Sequence, residues 1–439
     1  MIAAALLAVA VATVAIGWVM VAGWRQASLR LPPHRSSTAH LQALYPFVAE
    51  GGMGGGGVYV GREVLGASFC FDPWDLYRRG VLTNPNVVVA GQVGRGKSAL
   101  VKTYLRRQQV FGRRAAVMDP KGEYGDLAAA LGVEPIRLAP GGGAYLNPLD
   151  PGPGAGDLRP EEVRRRQSAL LGSVAAASLS RDLRPEERAG VDVALASLAG
   201  DAGVVTLPSV VDALLSPSAA AAERLRTTPA DLARAARDVA LELRRLCEGD
   251  LRGMFDRPTS VAPDWDGPAV ILDLAPLFHS DALGLLMTCA AAWLQAAVAR
   301  PGAGKRIIVV DEAWAILSRV GIARWLQSSF KLSRAFGVCN VAVIHRLSDL
   351  SAAGAEGSEA VQLAEGLLAD AETRVIYAQP PGEIERATEL LGLTRTEAEL
   401  LPRLGRGVAL WKVGRRSFVV AHHVGPGEAA LVDTDRRME

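Results

Sequence analysis

Eight consecutive residues, Gly91-Gln92-Val93-Gly94-Arg95-Gly96-Lys97-Ser98, carry the strongest chemical signal in this 439-residue chain. They satisfy G-x-x-x-x-G-K-[ST], a spacing suited to holding a run of phosphates. Glycines let the backbone curl until successive N–H groups face phosphate oxygens, and the start of a following helix adds positive potential. Gly91 through Ser98, with Ala99 next to them, are therefore the candidate nucleotide-binding residues. Lys97 would reach the β- and γ-phosphates, and the Ser98 hydroxyl would hold Mg²⁺. A glycine-rich turn can match by chance, so the flanking elements decide. Asn86-Val87-Val88-Val89-Ala90 reads as a strand buried on both faces, and Ser98 to Gln109 as the helix after it.

A hydrolase of this kind needs a second element, an apolar strand ending in an acid. Ile307-Ile308-Val309-Val310-Asp311-Glu312 supplies it. Asp311 would hold Mg²⁺ through its water shell, since a hard cation wants oxygen ligands. Glu312 would orient or deprotonate the attacking water. An Asp-Glu pair after a strand also suits the start of a helix, where carboxylates favour the positive dipole end. Together with the loop, the pair reads as the chemistry of a nucleotide hydrolase.

These residues need a frame, and the hydrophobic pattern predicts one. Strands are expected at Ala115–Asp119, Ala269–Leu274, Arg306–Asp311, Val338–Ile344 and Arg374–Tyr377, with helices between them and a closing hairpin around Val413-Gly414-Arg415-Arg416. That alternation implies an α/β fold with a doubly wound, mostly parallel sheet. Val58-Tyr59-Val60 and Ala67–Phe71 read as short strands ahead of it. The turn Pro120-Lys121-Gly122-Glu123-Tyr124 would face the ligand edge. There Asp119 and Glu123 are either helpers at the metal or a helix cap. Between residues 151 and 264 the pattern is all-α. Its helices open with Pro160-Glu161-Glu162, Pro185-Glu186-Glu187 and Thr228-Pro229. Arg164-Arg165-Arg166 reads as a solvated face or a grip on DNA or a partner. The expected division is therefore core at 58–150, all-α insertion at 151–264, core again at 265–425, and a flexible tail at 426–439.

The N-terminus reads differently. Residues 2–24 carry no charge, and about 20 apolar residues span a bilayer, so a transmembrane helix is expected. Arg25, Arg30 and Arg35 come after it, which puts the rest of the chain in the cytoplasm as a single-pass protein of the cell membrane. Residues 25–57 would be a juxtamembrane segment ending in the glycine-rich linker Gly51–Gly57. A formal net charge of +2 does not announce a nucleic-acid binder. Four scattered cysteines, and His422-His423 without ligand spacing, argue against zinc or a disulfide scaffold. Trp314 and Trp325, at helical spacing, read as core residues.

The motif order carries a resemblance. Gly91–Ser98 is followed by Asp119-Pro120-Lys121-Gly122-Glu123, Asn147-Pro148, an α insertion ending near Leu251–Asp256, Asp311-Glu312-Ala313-Trp314, and Ser348-Asp349. This resembles the motor ATPases of type IV secretion and conjugation systems, in the HerA–FtsK class, over roughly residues 85 to 425. The resemblance implies a RecA-like P-loop NTPase fold, ATP and Mg²⁺ as cofactors, and a hexameric ring of identical subunits with nucleotide between them. It also implies secretion-channel proteins as partners, and possible contact with DNA. The class places a glutamine sensor where this chain has His345, which still offers hydrogen bonds at both ring nitrogens. Ser333-Arg334-Ala335-Phe336-Gly337 is similar to the segment carrying the arginine finger, so Arg334 is the implied finger and Arg374 the second choice. Either arginine could instead form an ordinary salt bridge. The implied function is an ATP-hydrolysing, membrane-anchored motor for DNA or protein translocation. A DNA-pumping coupling protein is one alternative, and a nucleotide-gated scaffold with negligible turnover is another.

Overall fold

The computed structural model describes residues 52–152, 159–199, 203–249, 251–261, 263–280, 282–298, 304–313, 320–345 and 359–433, together with Thr13. The apolar stretch 2–24 and most of 25–57 lie outside the described residues. So do Trp314, the side chain of Trp325, and Ser348-Asp349. Among the described residues, no helix is long and apolar enough to cross a membrane. The chain divides into two compact units, 1–49 and 50–439, and the second holds every strand of the sheet.

Eleven strands form one sheet among the described residues. In chain order they are β1 (Val58–Glu63), β2 (Ser68–Phe71), β3 (Val87–Ala90), β4 (Arg114–Asp119), β5 (Ile136–Arg137), β6 (Ala269–Asp273), β7 (Arg306–Val310), β8 (Val338–Ile344), β9 (Thr373–Ile376), β10 (Val408–Val413) and β11 (Arg416–His422). Their spatial order is β2-β1-β11-β10-β9-β3-β8-β7-β4-β6-β5. From β9 to β5 every pairing is parallel, and from β9 to β2 every pairing is antiparallel. The mostly parallel, doubly wound expectation therefore holds for the half that carries the motifs. The expected hairpin forms with a two-residue turn, Val413 facing Arg416, and it joins β9 to β1.

Strand pleat explains the unbroken valine and isoleucine runs. Val88, Ala90, Ala116, Met118, Ile308 and Val310 enter one core, while Val87, Val89, Ala115, Val117, Ile307 and Val309 enter the other. Neither face meets water, so no polar alternation is needed. The second core is closed by helix Lys97–Gln108, through Leu100, Val101, Tyr104 and Leu105. The first is closed by Leu283–Val298, Val320–Phe336 and Glu359–Asp370, and it runs on into the insertion helices.

Those helices span Pro160–Leu179, Pro185–Leu198, Leu207–Leu215, Ala219–Arg224 and Pro229–Glu248. Proline stands in the first turn of both Arg-Pro-Glu-Glu helices, and Thr228 caps the last by accepting from the Asp231 amide. In the arginine run, Arg166 pairs with Glu162 at 2.7 Å and lies over the Phe336 ring, which ties that helix to Val320–Phe336.

Two expectations about the chain ends change. Residues 52–57 are tied down at both ends, with Gly54–Gly56 exposed between: Met53 is buried, and its carbonyl accepts from Arg79. A Cβ at Gly57 would lie 2.7 Å from Asp72, so this glycine permits close approach rather than flexibility. The tail is likewise not frayed through 433. Pro426–Glu428 and Ala429–Val432 are helical, Leu431 is buried, and Glu428 receives both Nε and Nη2 of Arg107. A bidentate ion pair plus one buried leucine holds what composition alone reads as a tail.

The insertion contains a buried ion cluster with a testable cost. The fully buried Glu187 side chain accepts from Arg181 and Arg184 at 2.8 Å and from the Arg184 amide at 2.7 Å. The Arg181 hydrogen bond, outweighing burial, holds the Glu187 carboxyl down at about 2. Because the folded value lies below the usual 4.5, the stabilisation is complete above that pH and is lost as pH falls towards about 2. Glu187→Gln should cost about 2 kcal/mol in urea unfolding at neutral pH and little at pH 2. Removing the exposed Arg234–Asp231 pair should leave the urea midpoint nearly unchanged at either pH.

Candidate functional site

In parallel register, the carboxyl ends of neighbouring strands lie side by side. Ala90 of β3 faces Ile344 of β8 and Ile376 of β9, and Met118 of β4 faces Val310 of β7. The next residues out are Gly91, His345, Tyr377, Asp119 and Asp311. The local order here is β9-β3-β8-β7-β4, so the chain leaves β3 and returns beyond β8 and β7 at β4. That switch opens a crevice at the carboxyl edge.

The glycine-rich loop is stapled to this edge by its backbone. Gly91 N donates to Ile344 O, Gln92 N to Ala378 O, and Gly407 N to Arg95 O. Gly91 sits at φ +148°, where a Cβ would lie 2.5 Å from that of Tyr377, so no larger residue fits. Gly94 and Gly96 also hold positive φ, and Gly96 is the residue before helix Lys97–Gln108. Val93 at the tip is 65% exposed, and the Arg95 guanidinium donates to the Gln92 side-chain oxygen. Ser98 and Ala99 are half-buried in the first turn of the helix. Lys97 is buried and donates to Gly91 O at 2.5 Å and Gln92 O at 3.0 Å. Burial pulls its ammonium down to about 8, opposed by the charges of Asp311 and Glu312.

Asp311 and Glu312 are both buried just beyond β7. Asp311 Oδ1 accepts from the Glu312 amide at 3.0 Å, and Oδ2 accepts from the Tyr124 hydroxyl at 3.1 Å. Burial, then the neighbouring Glu312 charge, raises the Asp311 carboxyl. Glu312 holds φ +53°, a left-handed backbone that costs a non-glycine residue about 1–3 kcal/mol. Its Oε1 meets His345 Nε2 at 2.6 Å and forms an ion pair with Lys121. Burial alone would raise the Glu312 carboxyl, but His345 and Lys121 outweigh it and hold the group well below the carboxylate range.

One atom each from Asp311, Glu312 and His345 lies within 4.8 Å of the others. Hard oxygen donors from Asp311 and Ser98 suit Mg²⁺, with waters completing the shell. Among sequence-predicted residues, Gly91–Ala99, Asp311, Glu312 and His345 thus gather at one edge. Arg334 does not join them. It is exposed at the end of the helix entering β8, whose seven residues place it about 20 Å away along the strand. Arg374, the second choice, is occupied within its own chain: its guanidinium donates to the carbonyls of Leu368, Ala369 and Leu391, capping two helix ends. Asp119 serves the turn: it accepts from the amides of Lys121, Glu123 and Tyr124. The side chains that reach the acids from this turn are Lys121 and Tyr124. The sequence marked the turn, but which of its members point inward depends on its backbone course.

Neither a protein-family profile nor a curated protein matches the chain in sequence. Solved structures match in fold. VirB4 of Thermoanaerobacter pseudethanolicus superposes with a TM-score of 0.68 at 22% identity, covering 86% of this chain and 100% of that one. The bacterial conjugative coupling protein TrwBdeltaN70 gives 0.57 at 16% identity, covering 90% and 95%. TrwB in complex with ADP and Mg²⁺ gives 0.54 at 16% identity, covering 78% and 86%. The chain folds as these proteins do, over nearly their whole length.

Proposed function

We propose that this chain is a Mg²⁺-dependent ATPase that powers translocation in a conjugation or type IV secretion system. One observation carries the reading: a phosphate-binding loop with buried Lys97 shares the carboxyl edge with buried Asp311 and Glu312. Shared fold with VirB4 and with TrwB, a conjugative coupling protein also solved with ADP and Mg²⁺, supports the choice of system.

In this reading the loop amides and Lys97 bind the β- and γ-phosphates and fix the γ-phosphorus for in-line attack. Ser98, and Asp311 through the ion's water shell, would hold Mg²⁺, which would supply positive charge against that developing on the phosphate oxygens. Glu312 orients the attacking water and accepts its proton through a carboxylate oxygen. His345 stands where the resembling class has glutamine, and it steadies Glu312 through Nε2. Arg334, exposed and remote from its own subunit's loop, serves the nucleotide of the next subunit in a ring of identical copies. Residues 2–24 anchor that ring in the cell membrane, with the body in the cytoplasm and secretion-channel proteins as partners.

Full-length protein should hydrolyse ATP in Mg²⁺, and EDTA should stop it. Lys97→Ala should lose both binding and turnover, whereas Glu312→Gln should still bind ATP and turn over about 10²–10⁴-fold more slowly. Hydrolysis that rises with DNA, and that loses the effect at high salt, would select the DNA-pumping coupling protein. ATP binding without turnover in any assembly state would leave the nucleotide-gated scaffold.

For the finger, Arg334→Ala should slow hydrolysis about 10³-fold. Mixing it with Lys97→Ala should restore activity, because each variant supplies what the other lacks. Failure to restore at every mixing ratio would remove Arg334 from the role.

A further inference from the structure

Glu312 is clasped from both neighbouring strands. β7 lies between β8 and β4. From the end of β8 comes His345, and from the turn after β4 comes Lys121. Both nitrogens meet Oε1 of Glu312, and they lie 3.2 Å from each other. The roles assigned to the phosphate loop and the two acids leave that lysine without one. We propose that Lys121 is a positioning residue for hydrolysis, holding the Glu312 carboxylate in the orientation from which it directs water at the γ-phosphate. The inference rests on reading Glu312 as the base.

Lys121 is built into place. The buried Asp119 carboxylate accepts its amide and those of Glu123 and Tyr124, so the turn carrying the lysine is tied to the end of β4. Gly122 adopts φ +68°, and a Cβ there would come 3.3 Å from that of Ala275, which packs the turn against the stretch after β6. The ammonium lies 5.6 Å from the centre of the Phe278 ring, a cation–π contact that narrows its freedom. Side-chain exposure is 29%, against 93% for Arg395 on a free surface. A lysine serving only solubility needs none of this support.

The clasp answers a problem that β7 creates. Glu312 has a left-handed backbone and a buried carboxylate, so the groups packed around the acid, and not solvent, set its direction. A buried carboxylate without partners is costly and moves to find them. His345 and Lys121 meet the same oxygen, and without the lysine Oε1 loses one of the two nitrogens that aim it. Displacing a reacting group by about 1 Å can cost about 10²-fold in rate.

The test is steady-state ATP hydrolysis by full-length protein carrying Lys121→Met, Lys121→Arg, Glu312→Gln, or Lys121→Met with Glu312→Gln. Lys121→Met should lower kcat about 10²-fold and leave KM within about threefold, since the lysine acts on the base and not on nucleotide binding. Lys121→Arg should recover part of the loss by restoring the ion pair. In the Glu312→Gln background, Lys121→Met should cost nothing further, because a residue acting through another is silent once that other is gone. An unchanged or higher kcat in Lys121→Met overturns the proposal, and so does a full additional loss in the double variant. Thermal melts check folding, and Lys121→Gln replaces Met if the latter melts early. If the unsubstituted protein does not exceed the Lys97→Ala blank, the ATPase reading itself fails. Hydrolysis with an indifferent Lys121 sinks only the clasp.

Discussion

Charge buried at the carboxyl edge of a parallel sheet is the constraint on which the rest of this molecule depends. Lys97, Asp311 and Glu312 are each almost completely enclosed. None could stay ionised there alone, since removing a charge from water costs several kcal/mol per ion. They persist because five strands end in register and bring compensating groups within reach: loop carbonyls for Lys97, the Tyr124 hydroxyl for Asp311, and Lys121 with His345 for Glu312. Low local polarity then strengthens each of these contacts.

The two cores keep that edge rigid. Consecutive residues of β3, β4 and β7 enter opposite cores, so a shift of one strand would disturb packing on both faces at once. The insertion shares the first core with the sheet instead of standing apart. The helix Val320–Phe336 lies between the sheet and the insertion, and Arg166 of the insertion lies over its Phe336 ring. The antiparallel strands β10, β11, β1 and β2 extend the sheet beyond β9, and Gly407, just ahead of β10, supports the loop at Arg95.

Glycine marks the tightest approaches. At Gly61, in β1, a Cβ would fall 2.0 Å from the Ala421 carbonyl oxygen of β11, and at Gly91 it would strike Tyr377. Both positions join distant parts of the chain. The glycine-rich stretch before β1 is similar in kind: composition suggests a flexible tether, but the chain lies against the helix Pro73–Arg78 and the end of β2.

The sequence alone determined the parts governed by local rules. The phosphate loop, the acid-ended strand, proline-led helices and doubly buried strands all come from short-range spacing, burial pattern and cap chemistry. Tertiary structure decided the contacts between residues far apart in the chain. It brought Lys121 and His345, 224 positions apart, onto one oxygen of Glu312. It set Arg374 to cap helix ends, made Asp119 the anchor of a turn, and packed the segment after Gly425 against Arg107. Those outcomes depend on strand order and on the direction each side chain takes from its backbone. Composition and spacing carry neither.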